Sequence, residues 1–183
     1  MIKIFFLSIF FIFIIQAKAD DKKKIILNFE KINNLSFDFE QNINGKIEKG
    51  NCIIEYPKKI FCKYYSKNNK ILVSNGKSIV IKTNIGSYYR YNINRTPLDL
   101  ILDKKFIINE IRKMEQIIKK NGLIIYKIYS NNQKIDIFFD ENNFYLKGWK
   151  TIDVYQNTSI TYIHNTLINQ RIEQKKFILP RMD

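Results

Sequence analysis

The spacing of apolar positions changes character three times along the chain. Residues Ile4 to Ile15 form a short apolar run, with Lys3 the only charge ahead of it. From Asp20 onward Ile25, Ile26, Phe29 and Ile32 recur at intervals of three and four, with Lys22, Lys23, Asn28, Glu30 and Lys31 among the residues between them. That spacing predicts one amphipathic helix over Asp20 to Asn33, its two leading acids at the positive N-terminal end. From Leu35 the period drops to two: Leu35, Phe37 and Phe39 alternate with Ser36, Asp38 and Glu40 before the turn residues Asn44-Gly45, which predicts a half-buried strand.

Similar alternation or short β-rich runs recur at Cys52 to Tyr56, Ile60 to Tyr65, Ile71 to Ser74, Ser78 to Thr83 and Tyr88 to Asn92. Turn residues stand between them, Asn75-Gly76 being a tight hairpin signal, so an antiparallel meander is expected. Thr96-Pro97-Leu98-Asp99 breaks the meander. Thr can cap a helix, Pro suits its first position and Asp its first turn, so a short apolar helix is predicted from Pro97 to Leu102. Apolar residues at 107, 108, 111, 114, 117 and 118 predict a helix over Ile107 to Asn121, although Glu115 to Lys119 also reads as extended. Strands return at Leu123 to Tyr129, Lys134 to Phe139, Phe144 to Trp149, Ile152 to Tyr155 and Ser159 to Ile163, and Phe177-Ile178-Leu179 closes the apolar pattern. No internal repeat or compositional shift marks a second domain.

The first run has a different meaning from the rest. Lys3, the apolar stretch and the small-residue pattern Ala17-Lys18-Ala19 have the anatomy of a cleavable secretory signal over residues 1 to 19. A dozen or so apolar residues fall short of the roughly 20 that a spanning helix needs. Cleavage after Ala19 leaves residues 20 to 183 as one domain, and the lack of Cys at the cleavage site predicts no lipid anchor. The formal charge of +14 loses only Lys3 and Lys18 with the leader, so the mature chain stays strongly basic. Export and the spread of the lysines argue against nucleic acid as the partner, and heavy use of Ile, Lys and Asn is what an A+T-rich genome produces. What remains of the charge favours transient contact with membrane surfaces or acidic partners.

Candidate chemistry is sparse. His164 is the only histidine and lies in the alternating segment Thr161-Tyr162-Ile163-His164, where a solvent-facing residue is expected rather than a catalytic one. No metal-ligand spacing, HExxH, GxSxG or phosphate-binding glycine loop is present, so neither a metal nor a cofactor is expected, and a hydrolase would have to rest on paired carboxylates brought together in space. The cysteines have a geometric explanation. A hairpin turning at Pro57 sets Cys52 directly opposite Cys62, close enough for a disulfide that an exported protein meets the oxidants to form, with two buried thiols as the alternative. Closing a loop of about 11 residues stabilises a fold by roughly 3 kcal/mol in the chain-entropy model. In that register Ile54 faces Ile60 and Tyr64 continues the same face, with Glu55 and Lys63 on the other.

The order of these motifs resembles the outer-membrane lipoprotein carrier protein family, LolA, over essentially the whole mature chain. The matching stretches are Leu35 to Gln41, Gly50 to Pro57, Ile60 to Tyr64, Leu72 to Lys77, and Arg95-Thr96-Pro97-Leu98 through Leu102. The resemblance implies a mainly β fold with helices, an incompletely closed antiparallel β-barrel with an α-helical lid that includes the Thr96-Pro97-Leu98 helix. It implies a periplasmic, monomeric carrier with no catalytic role, which takes acylated lipoproteins from an inner-membrane exporter and passes them to an outer-membrane acceptor. Burial of each CH₂ is worth about 0.8 kcal/mol, so an acyl chain cannot cross water unshielded. On this resemblance the lipid cavity is formed by Phe37, Phe39, Ile54, Ile60, Tyr64, Leu98, Ile101 and Leu102. Ordinary core packing is the competing account of each residue, and a periplasmic lipid or lipoprotein sensor is the competing account of the whole. Two positions depart from the family: Tyr56 stands where many members have Arg, at a place linked to one-way transfer, and Cys62 where many have Trp.

Overall fold

The computed structural model describes residues 20–182 except 116, 131–132 and 153–156, so the segment expected to be a secretory leader lies outside the described residues. Residues 20–30 form helix α1, whose Ile25 and Phe29 are buried, as is Ile32 just beyond it. The chain then enters a meander of six strands: β1 (Asn34–Ile43), β2 (Lys46–Glu55), β3 (Lys59–Tyr64), β4 (Ile71–Asn75), β5 (Ser78–Lys82) and β6 (Tyr88–Asn92). A 3₁₀ turn (Ile93–Arg95) leads to the short helix α2 (Leu98–Ile101) and to α3 (Lys104–Lys113). A second meander follows: β7 (Ile118–Lys120), β8 (Leu123–Ser130), β9 (Gln133–Asp140), β10 (Leu146–Ile152) and β11 (Thr158–Ile168).

The two meanders join where β11 pairs antiparallel with β1, giving one eleven-stranded sheet that runs from β6 at one edge to β7 at the other. Since β6 and β7 do not pair, the barrel is incompletely closed, and the three helices pack with its concave face in one core. The chain tightens its long first hairpin with Asn44 at φ 49° and Gly45 at φ 91°, the left-handed pair that a two-residue turn demands. This turn carries β2 back to Lys46, six residues before the predicted start, because Lys46 to Asn51 is polar enough to hide its alternation.

Helix α3 stops at Lys113, well short of the predicted Asn121, and the chain is extended at Met114, with ψ 128°. Two contacts decide this. From α1, Lys22 donates to the carbonyls of Arg112 and Met114 at 3.0 and 2.9 Å, capping the helix end, and Ile118–Lys120 pairs with β8 across a turn at Asn121-Gly122. The capping is reciprocal, since Lys104 at the start of α3 donates to the carbonyls of Glu30 and Ile32 at the end of α1. Of the predicted strand Ile152 to Tyr155, Ile152 ends β10 and the rest lies outside the described residues.

On the convex face the C-terminal segment packs over β3 and β4 through the 3₁₀ turn Gln174–Phe177, and Phe177 is buried. The Tyr88 hydroxyl donates to the Pro180 carbonyl at 3.3 Å, tying this segment toward β6. Val73 and Val80, which face that side, are buried.

Candidate functional site

Register converts the period-two pattern into rows across the concave face. One row runs Phe37, Cys52, Cys62, Leu72, Ile81 and Tyr89 over strands β1 to β6. The neighbouring row runs Leu35, Ile54, Ile60, Ser74, Ile79 and Tyr91. Each begins in buried aliphatic or aromatic side chains and ends on a tyrosine about half exposed at the free edge of the sheet.

A disulfide joins the middle of the first row. Cys52 pairs with Cys62 in the ladder, their Cα atoms are 4.1 Å apart and the S–S distance is 2.00 Å, so the predicted bond and the predicted register are both present. The bond lies on the concave face, where the two cysteines help to line a cavity.

That cavity, about 130 Å³, lies between the first row and α2. Phe37, Phe39, Ile60 and Tyr64 line it from the sheet, and Leu98 and Ile101 from the helix. Ile54 and Leu102, the other two residues assigned to the cavity from sequence, are fully buried but do not line it. Ile54 belongs to the adjacent row, toward the Tyr56 end of β2 where Phe29 of α1 packs, and Leu102 is the C-cap of α2, its carbonyl accepting from the Lys58 N–H at 2.9 Å.

The structure adds lining residues that sequence reasoning did not name. Leu72 and Pro97 extend the apolar wall, and Trp149 enters from β10, edge-on to Phe37 with ring centroids 6.1 Å apart. Gln41, Thr151 and Thr161 give the cavity a polar side, on which the Gln41 amide donates to the hydroxyls of Ser159 and Thr161 at 3.0 Å each. Gln41 follows Phe39 by two residues and was legible by period. The β10 and β11 residues were not, because they depend on the β1–β11 pairing between segments more than a hundred residues apart.

Two aromatics close over a glycine inside this wall. Phe39 and Tyr64 sit on either side of Gly50 in the ladder and meet edge-to-face with centroids 5.1 Å apart. A Cβ on Gly50 would lie 2.2 Å from the Lys63 carbonyl oxygen and 2.8 Å from the Phe39 ring, so only glycine fits. Burial pushes the Tyr64 hydroxyl well above the ordinary tyrosine range, and the Glu48 carboxylate adds to the shift.

Ion pairs at Lys58 tie the lid to the sheet. Lys58, in the turn between β2 and β3, donates to Asp99 of α2 at 2.8 Å and lies 3.8 Å from Asp103. The Asp99 hydrogen bond raises the Lys58 pKa, partial burial opposing it. Next to it Tyr56 packs edge-on against Phe29 with its hydroxyl buried, and the Lys104 ammonium stands 5.7 Å from the ring centroid. Tyr56 thus presents a partly buried aromatic ring to a cation from α3. His164 is exposed on β11 opposite Asp38, away from the cavity lining. Among the described residues no cluster of three His, Cys, Asp or Glu side chains is arranged to hold a metal.

Comparison with known proteins places this geometry in context. Among curated proteins none matches the chain in sequence. A solved structure of an uncharacterized conserved protein from Thermus thermophilus superposes with TM-score 0.52 at 4% identity, over 90% of this chain and 95% of that one. MucB superposes with TM-score 0.50 at 8% identity over 91% of this chain and 64% of its own, and the LolA superfamily protein NE2245 from Nitrosomonas europaea with 0.47 at 6% identity over 86% and 97%. These likenesses concern the fold. The sequence model described as "Outer membrane lipoprotein carrier protein LolA" matches residues 30–179, a span that takes in every strand, both helices of the α2–α3 lid and all of the cavity lining, and the chain belongs to that family.

Proposed function

We propose that the mature protein is a periplasmic carrier that shields the acyl chains of lipoproteins in the cavity under α2 and ferries them between the inner and outer membranes. The observation that carries this reading is an apolar cavity walled by a continuous β row and roofed by a helix of four residues, too short to be rigid without tertiary support. A cavity of about 150 Å³ holds a molecule the size of benzene. At about 130 Å³ the cavity is too small for an acyl chain as it stands, and such a chain enters only as α2 lifts and the space extends along the row toward Leu72 and Ile81. The polar side made by Gln41, Thr151 and Thr161 suits the ester and amide groups that attach acyl chains to a lipoprotein. Residues 1 to 19 direct export and are removed, and no covalent step is involved.

The test is transfer of a triacylated lipoprotein from inner-membrane vesicles. The mature protein should release it into solution as a one-to-one complex seen by native mass spectrometry, with a change in the fluorescence of Trp149, the only tryptophan. Leu98→Lys, which puts a charge in the cavity from the half-buried lid, should abolish release while leaving the far-ultraviolet circular dichroism intact. Binding of free lipid without extraction would replace the carrier with a sensor. No binding of either would overturn the reading.

A further inference from the structure

The lysines are spread along the chain, but the acids are not. Residues 56–98, which run from the end of β2 to the start of α2, contain nine Lys and Arg and no Asp or Glu, whereas residues 20–55 hold six cations against seven acids. Most of the protein's net charge therefore sits on one wing of the sheet, β3 to β6. Acids at the borders of this stretch engage Lys58, Lys59 and Lys70, through Asp99 and Asp103, Glu55, and Glu48 respectively. Lys63, Lys67 and Arg90 are exposed and have no carboxylate partner among the described residues.

The same wing exposes its largest apolar side chains at one end. The β3–β4 and β5–β6 connections lie side by side, joined by the Asn84 N–H donating to the Asn68 carbonyl at 3.0 Å. Tyr65 and Ile85 on these connections are 64% and 67% exposed, and Tyr89, where the cavity row reaches the edge strand, is 53% exposed. The C-terminal segment covers the convex face of β3 and β4, so the tips and the β6 edge are what the wing leaves open.

We infer that these two hairpin tips and the β6 edge dock the protein onto an anionic lipid bilayer. Tyrosine and isoleucine at loop tips bury in the headgroup region without needing a shaped pocket, and the surrounding cations meet the negative surface potential of the leaflet. An acidic protein would satisfy the charges but would leave Ile85 and Tyr65 without a matching recess. Docking in this pose sets the outer end of the apolar row, at Tyr89, against the lipid.

The experiment is co-sedimentation of the cargo-free mature protein with vesicles of phosphatidylcholine alone and with about 30 mol% phosphatidylglycerol. It is read without lipoprotein, so its failure is distinct from failure of the carrier reading. Binding is expected only to the anionic vesicles, and it should fall by at least tenfold between about 50 and 500 mM salt, as screening shortens the reach of the charges. The triple variant Lys63→Glu, Lys67→Glu, Arg90→Glu should weaken binding about tenfold or more, and Ile85→Ser about threefold at unchanged charge. The same charge change at exposed Lys23, Lys120 and Lys127, outside the wing, should leave at least half the binding. Absence of binding, or equal loss in the two triple variants, would overturn the assignment. So would capture by polyglutamate as strong as capture by vesicles and indifferent to Ile85→Ser, which would mark an acidic protein as the partner.

Discussion

At the scale of the residue, both faces of the sheet use glycine to bring aromatics on flanking strands together. Phe39 and Tyr64 meet over Gly50 on the concave side, and Phe138 and Tyr162, both partners of Gly148, stack with centroids 5.8 Å apart. The glycine contributes no packing of its own and its value lies in what it permits. Gly50→Ala should therefore cost about 1–3 kcal/mol, as the Phe39 ring and the Lys63 carbonyl are forced apart, and chemical denaturation will read this as a lower midpoint at unchanged slope. A variant as stable as the parent would show that the strands yield more easily than the geometry allows. Gly50 was legible in sequence as the start of a family stretch. The reason for it was not, because the clash involves an oxygen on β3 and a ring on β1.

At the scale of the element, the lid is an assembly of weak pieces held by cross-caps. Helix α2 has four residues and no side-chain N-cap, and it is held by Lys58, whose side chain pairs with Asp99 and whose N–H donates to the Leu102 carbonyl. α1 and α3 secure each other's C-terminal carbonyls through Lys22 and Lys104. The Lys58–Asp99 pair is partly solvated, and such pairs contribute up to about 1 kcal/mol. Lys58→Met should thus change unfolding free energy by less than about 1 kcal/mol, yet speed exchange of a fluorescent fatty acid by about two- to fivefold in stopped-flow mixing, because the lost contact opposes opening of the lid. Unchanged exchange would mean that α2 does not gate the cavity. The helix at Pro97 was legible from its Pro and its first-turn Asp99, but Thr96 does not cap it: Pro97 stands at the N-cap and the Thr96 hydroxyl turns back to the Ile93 carbonyl. The early stop of α3 was not: the spacing of Met114, Ile117 and Ile118 suits a helix, and the decision fell to Lys22 and to the pairing of β7 with β8.

At the scale of the whole molecule, three tyrosines tie stability to alkaline pH: Tyr64 and Tyr126 are buried, and Tyr56 is partly buried with its hydroxyl fully enclosed. Burial raises Tyr56, Tyr64 and Tyr126 well above the ordinary value of about 10, helped at Tyr64 by Glu48 and at Tyr126 by Asp21. A group raised in the folded state contributes stability in full below its unfolded pKa and loses it as pH climbs through the folded one. Stability should therefore decline from about pH 10 upward. Ultraviolet titration of the folded protein near that range should detect at least three fewer phenolates than the eleven found in denaturant. All eleven ionising while the protein remains folded would contradict the burial of these rings.

What the sequence determined by itself was whatever rests on neighbours along the chain. Period two and turn chemistry located ten of the eleven strands, Asn44-Gly45 closed the first hairpin, and Pro57 centred the register that sets Cys52 against Cys62. The shared face of Phe37, Phe39, Ile60 and Tyr64 on β1 and β3 followed from the same alternation, while their assignment to a cavity came from the family resemblance, and all four line it. Only the tertiary structure decided that β11 returns to β1, which brings Trp149, Thr151 and Thr161 into the same cavity and leaves Ile54 and Leu102 in the core beside it. Buried side chains look alike in a sequence whether they meet another side chain or an open space. The distinction depends on which distant strand and which helix arrive opposite them, and no local pattern encodes that.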